Sequence, residues 1–142
     1  MSDRFFLDTN ILVYAVDPTD ARKHEIAVDW VERSLRTGEA VVSFQVVHEW
    51  FHWVLRKSAK LLQPALARQI YRSLLEPLSR VESSRELIDT ALDLFENDKV
   101  SWWDALIIGA ALHGGCQTLL SEDLQHGREI RGMRIENPFR AH

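Results

Sequence analysis

Four carboxylates in this chain of 142 residues sit where chemistry is commonly done. Asp8 directly follows the apolar run Phe5-Phe6-Leu7, and Asp123 follows a second apolar segment by way of Ser121-Glu122. Glu49 falls within the first two turns of a helix expected to begin at Gln45, and Asp104 near the start of one expected to begin at Ser101. Acids in a first helical turn gain about 0.3–1 kcal/mol from the dipole, so each of the latter two has an ordinary structural explanation. Asp104 stands between Trp103 and Ala105-Leu106-Ile107-Ile108, and a carboxylate buried in such company needs a partner, a proton or a metal. Four converging carboxylates suit one or two hard divalent cations such as Mg²⁺, which take oxygen ligands and keep open positions for water and phosphate. A pair of such ions about 3.5–4 Å apart can generate a hydroxide and stabilise the leaving oxygen of a phosphodiester displacement. Positions 8, 49, 104 and 123 follow no local pattern, so only the fold can bring them together.

The elements that must do this can be read from the apolar spacing. Short strands are expected at 4–7, 40–43, 78–81, 117–120 and 133–136. Helices are expected at 21–36, stopped by Thr37-Gly38, at 45–62, and from Pro64 to 75 with Pro77 as the stop. A further helix, capped by Ser83-Ser84, is expected to turn Leu87, Ile88, Ala91, Leu92 and Phe95 to the core, and another runs over 101–113 to Gly114-Gly115. Residues 11–16 form a short apolar segment of no assigned type. Short strands alternating with longer helices indicate an α/β domain with a central, mainly parallel sheet. Ligands of such sheets gather at the C-terminal strand ends, where Asp8 and Asp123 lie.

A length of 142 residues suits one domain with one core, expected over 1–142. The hydrophobic share of 46% and charged share of 27% exclude a disordered or collagen-like chain. The single cysteine, Cys116, excludes an internal disulfide and a cysteine-based zinc cluster, and agrees with a reducing compartment. No window approaches the ~18 apolar residues of a membrane span, so a cytoplasmic location without membrane attachment is expected. The net charge of −4 does not advertise a nucleic-acid binder. With four of the 21 acids gathered in a metal site, however, 17 acids would remain against 17 Lys and Arg, and bound cations would offset the cluster.

Four strings taken together resemble the PIN-domain ribonucleases, and among them the VapC toxins of type II toxin–antitoxin pairs. They are Phe5-Phe6-Leu7-Asp8-Thr9-Asn10-Ile11-Leu12-Val13-Tyr14, Ser43-Phe44-Gln45-Val46-Val47-His48-Glu49-Trp50, Ser101-Trp102-Trp103-Asp104-Ala105-Leu106-Ile107 and Leu119-Leu120-Ser121-Glu122-Asp123-Leu124-Gln125-His126-Gly127. All occur in the family's order, and Asn137-Pro138-Phe139 is a familiar ending. The resemblance implies a three-layer α/β/α fold and an endoribonuclease dependent on Mg²⁺, with Mn²⁺ as a substitute, that leaves 5′-phosphate and 3′-hydroxyl ends. It implies a VapB-like antitoxin that blocks the site, and a homodimer. Asp8, Glu49, Asp104 and Asp123 match the family's four acidic positions, and Asn10 and Ser101 match supporting polar ones. Glu122 competes with Asp123, but the family pattern places the ligand second. His48 departs from the small polar residue expected before the glutamate.

Other readings attach to the same residues. His48-Glu49-Trp50-Phe51-His52 satisfies H-E-x-x-H, the zinc metalloprotease signature, on an expected helix. The longer metzincin form needs Gly and His where Leu55 and Ser58 stand, and a protease leaves Asp8, Asp104 and Asp123 without a role. Asp8-Thr9-Asn10 is similar to the nucleophile segment of haloacid-dehalogenase-type phosphatases, but Asn10 occupies the place of their second acid. A PIN-like module that binds RNA or protein without catalysis would not need all four acids. Arg56, Lys57 and Lys60, with Arg68 and Arg72, could form a basic rim for an RNA backbone, although such runs more often form solvated helix faces. Trp50, Trp53, Trp102 and Trp103 flank the acids, where core packing is the ordinary role and base stacking the special one.

Overall fold

The computed structural model describes residues 3–56 and 61–140. Lys57 and Lys60 of the expected basic rim lie outside the described residues. Strand β1 (Phe5–Leu7) leads to α1 (Thr9–Tyr14), α2 (Ala21–Thr37), β2 (Ala40–Ser43) and α3 (Phe44–Val54). There follow α4 (Pro64–Ile70), a π-helical stretch (Tyr71–Leu75), α5 (Glu76–Leu78), β3 (Ser79–Val81), α6 (Arg85–Asn97) and α7 (Trp102–His113). The chain closes with β4 (Thr118–Leu120), β5 (Glu129–Ile130) and β6 (Met133–Glu136).

One sheet runs in the order β3-β2-β1-β4-β6-β5, with helices on both faces in an α/β/α arrangement. Every pairing is parallel except β5 with β6. The central β1 and β2 are buried at every residue, as their uninterrupted apolar runs require of strands covered on both faces. Phe5 pairs with Ala40 on one side and Thr118 on the other, which aligns Asp8 at the exit of β1 with Ser121 at the exit of β4. The Asp8 amide donates to Leu120 O at 3.0 Å and extends this register by one residue.

Most helix ends follow local chemistry. Asp20, Ser43, Ser84 and Ser101 each accept a hydrogen bond from the third residue of the helix they cap. Gly38, at φ 68°, closes α2 in the left-handed conformation. One unassigned segment gains a type, and three expectations are corrected. Residues 11–14 belong to α1, capped by Asp8 itself. Helix α3 stops at Val54 rather than 62, and the Leu62 amide donates to Val54 O at 3.1 Å. Pro77 does not end its helix, because the π-helical stretch just before it widens the coil and places the proline in the first turn of α5, where no N–H is required. The core face of α6 is narrower than expected: Leu87, Ala91 and Leu94 are buried, whereas Ile88, Leu92 and Phe95 face solvent.

That narrow face packs on α7 at Gly109, where an added Cβ would stand 3.2 Å from Leu87 Cδ1. Strand β5 has no counterpart in the apolar spacing. Its two-residue connection to β6, Arg131-Gly132, places both residues at positive φ as a type I′ hairpin demands, without the usual Asn-Gly signature.

Candidate active site

Asp8, Glu49, Asp104 and Asp123 line one cleft of about 450 Å³ at the C-terminal edge of the sheet. Each arrives by a different route. Asp8 ends β1 and caps α1, with Oδ1 accepting from the Thr9 amide at 2.7 Å and Oδ2 from Ser121 Oγ at 2.7 Å. Glu49 enters from the second turn of α3, where Thr9 Oγ1 donates to Oε2 at 3.0 Å and Gln45 Nε2 to Oε1 at 2.8 Å. Asp104 lies in the first turn of α7, its amide donating to Ser101 Oγ at 3.2 Å. Asp123 follows β4, its amide donating to Ser121 Oγ at 3.1 Å while Asn10 Nδ2 donates to its Oδ2 at 3.2 Å.

The burial of these acids reverses one expectation. Asp104 is only half-buried, because α7 begins at the cleft mouth and Trp103 beside it is 68% exposed. The enclosed acid is Asp8, at 8% exposure. Burial pushes its carboxyl from 3.8 up to about 6, against the lowering effect of the Ser121 and Thr9 hydrogen bonds, and the charges of Glu49 and Asp123 raise it further. Glu122 also lines the cleft, but Lys23 Nζ forms an ion pair with it. The bond to Glu122 raises the Lys23 ammonium, so Glu122 is already balanced while Asp123 keeps only neutral donors. Thr9, Gln45 and Ser121 hold the acids, yet no sequence pattern singled them out; each is legible only as a polar neighbour of Asp8, Glu49 or Asp123.

The donors are all oxygens, the set a hard divalent cation takes. Among the described residues no three His, Cys, Asp or Glu side chains close into a cage around one ion. The all-oxygen lining of the cleft nevertheless suits a hard divalent cation that keeps several waters, and differs from the nitrogen and sulfur donors typical of a structural zinc centre. His48 and His52 are both exposed; the His48 ring lies edge-on to Phe44 at 4.4 Å and the His52 ring edge-on to Trp53 at 6.0 Å. Arg56 does line the cleft, its guanidinium carbon 4.0 Å from the Trp53 ring centroid, whereas Arg68 and Arg72 are exposed residues outside its walls.

A family model described as PIN domain matches residues 5–128. The chain belongs to the PIN domain family. Solved structures share the PIN fold over nearly its full length. FitAcB from Neisseria gonorrhoeae is 18% identical, with a TM-score of 0.71 over 96% of this chain and 99% of that one. A toxin–antitoxin complex from Klebsiella pneumoniae is 16% identical, with a TM-score of 0.63 over 96% and 98%. VapC20 of Mycobacterium tuberculosis, described as a toxin cleaving the sarcin–ricin loop, is 22% identical, with a TM-score of 0.57 over 81% and 86%. At these identities the likeness establishes the common fold. No curated sequence matches the chain significantly. Membership of the PIN family removes the zinc-protease and dehalogenase-type folds as frames for Glu49 and Asp8.

Proposed function

We propose that this PIN domain is a divalent-metal-dependent endoribonuclease of VapC type, the toxin of a toxin–antitoxin pair. The observation that supports it most is the meeting in one cleft of Asp8, Glu49, Asp104 and Asp123, delivered by four separate parts of the chain. These four would hold Mg²⁺ or Mn²⁺. When bound, such an ion supplies Lewis acidity toward a phosphoryl oxygen and acidifies water. The protein's own part is to hold oxygens in place. Thr9 and Gln45 clamp both oxygens of Glu49, Ser121 ties Asp8 to the Asp123 backbone, and Asn10 aims Asp123. Ser101 sets Asp104 at the start of α7. The reading includes hydrolysis of RNA to 5′-phosphate and 3′-hydroxyl ends.

A VapB-like antitoxin as partner is supported by the fold shared with the toxin–antitoxin complex above. A homodimer belongs to the same reading, with the solvent-facing Ile88, Leu92 and Phe95 of α6 as apolar surface for it. So does a cytoplasmic location; among the described residues no helix is long and apolar enough to cross a membrane. The test is cleavage of RNA by purified protein in Mg²⁺, with the ends sequenced. Asp8→Asn and Asp104→Asn are expected to lose most activity while remaining folded, and full activity in Asp104→Asn would overturn the assignment.

A further inference from the structure

We infer that Lys23 is a positioning residue of the acidic site: by pairing with Glu122 it withholds that carboxylate from the metal and leaves Asp123 as the acid that the exit of β4 presents. This rests on the metal-dependent reading of the cleft and adds a residue to it. The exit of β4, Ser121-Glu122-Asp123, supplies two adjacent acids, and both line the cleft that holds Asp8, Glu49 and Asp104. Their partners separate them. Asn10 Nδ2 donates to Asp123 Oδ2 at 3.2 Å, a neutral contact that leaves the carboxylate its charge, whereas Glu122 is ion-paired to the Lys23 ammonium. Asn10 Oδ1 also accepts from the Glu122 amide at 3.3 Å, so one side chain sets the two acids relative to each other.

The ammonium is itself seated. Lys23 lies in the first turn of α2, where the helix dipole disfavours a cation, so its charge answers to Glu122 and not to its own helix. Its Nζ stands 5.2 Å from the Tyr14 ring centroid, 5.8 Å from that of Phe139 and 3.4 Å from Tyr14 Oη. The two rings pack edge-on at 5.0 Å, and Phe139 is buried in the segment after β6. Helix α1, helix α2 and the segment after β6 thus converge to hold one ammonium against one carboxylate. The pair adds little to folding, because its side chains are 26% and 23% exposed and water screens such charges. Its consequence lies in the cleft. A hard cation such as Mg²⁺ uses few carboxylates and keeps several waters. A further carboxylate strengthens binding by its charge but takes a position that water or phosphate needs, and Lys23 keeps Glu122 from becoming that ligand.

The test compares wild type with Lys23→Met, Lys23→Arg, Glu122→Gln and the double variant Lys23→Met/Glu122→Gln. Calorimetric titration with Mn²⁺ at low and high salt reads the metal site without RNA, and cleavage of a labelled RNA in Mg²⁺ gives kcat and KM. Lys23→Met keeps the apolar stem against Tyr14 and Phe139 but frees Glu122. It should bind Mn²⁺ about five- to tenfold more tightly at both salt concentrations and lose about ten- to hundredfold in kcat, with its melting temperature within about 3 °C of wild type. Lys23→Arg and Glu122→Gln should stay within about threefold of wild type in Mn²⁺ affinity and kcat. The double variant should return to within about threefold of wild type, since no carboxylate is freed. Unchanged or weaker Mn²⁺ binding in Lys23→Met would overturn the inference. So would a gain in affinity that vanishes at high salt, which marks the lost charge alone, or a kcat loss that Glu122→Gln fails to rescue, which marks a damaged fold. Failure of the ribonuclease reading looks different: wild type then binds Mn²⁺ but cleaves no RNA, and the titrations still decide the role of Lys23. A wild type that binds no Mn²⁺ overturns both.

Discussion

Asp8 is the residue on which the site's energetics turn. Its carboxyl is buried, and it titrates near 6 in the folded protein against 3.8 ordinarily. The folded state therefore holds an extra proton between those values, so this group destabilises the fold at pH 7 and the effect is relieved as pH falls toward 5. At about 1.4 kcal/mol per pKa unit the full effect is on the order of 3 kcal/mol. Urea denaturation in EDTA should accordingly show this part of the stability rising from pH 7 to pH 5. Asp8→Asn should be more stable than wild type at pH 7, should flatten that rise, and should lose more than about a hundredfold of cleavage. His48 makes the opposite prediction. It is exposed beside Phe44 and stands outside the four acids, so His48→Ala should keep metal-dependent RNA cleavage within about tenfold, read as kcat/KM.

Among the elements, three helices carry three of the acids to the cleft, and the start of each is fixed by a cap. Asp8 caps α1, Ser43 caps the helix bearing Glu49, and Ser101 caps the helix bearing Asp104. Ser101→Ala removes a cap worth about 1 kcal/mol and should lower the melting temperature by about 3 °C. Cleavage should fall further than so small a loss of stability explains, because Asp104 loses its setting; calorimetry and kinetics on the same sample separate the two effects. At the far end of α7, Gly114 meets β2. A Cβ there would lie 2.9 Å from Val41 Cγ1, and Val41 is fully buried with no room to move aside. Gly114→Ala should therefore cost about 1–3 kcal/mol, measured as a lower urea midpoint with an unchanged slope.

For the whole molecule, the consequence is a cleft that gathers negative charge until a cation neutralises it. EDTA should abolish cleavage, Mg²⁺ and Mn²⁺ should restore it, and Ca²⁺ should bind without supporting efficient turnover because it accepts irregular, higher-coordinate geometry. If Asp8 is a metal ligand as proposed, a proton on it competes with the ion. Activity should thus fall as pH drops through about 6 and recover in part when Mg²⁺ is raised, a shift visible in pH profiles at two Mg²⁺ concentrations. Undiminished cleavage in EDTA would reject the carboxylate–metal mechanism.

Local chemistry alone made the parallel α/β class legible, through buried runs such as Phe5–Leu7 and Ala40–Ser43 and through helix ends such as Ser84 and Gly38. It also made Asp8, Glu49, Asp104 and Asp123 candidates, but the helix dipole explains an acid in an early helical turn equally well, and only the resemblance of four strings to the PIN-domain ribonucleases singled out the set. What it could not show was which acid is enclosed. Apolar neighbours in sequence suggested Asp104, but Trp103 turns outward and Asp8 is the one covered, since burial depends on what packs across from a residue and not on what adjoins it in the chain. The outward Ile88, Leu92 and Phe95 teach the same point, as a helix with a wide apolar face buries only the stripe its neighbour can reach. Tertiary structure alone joined Thr9 to Glu49 across 40 residues and Ser121 to Asp8 across 113, because parallel strands place the ends of distant segments side by side.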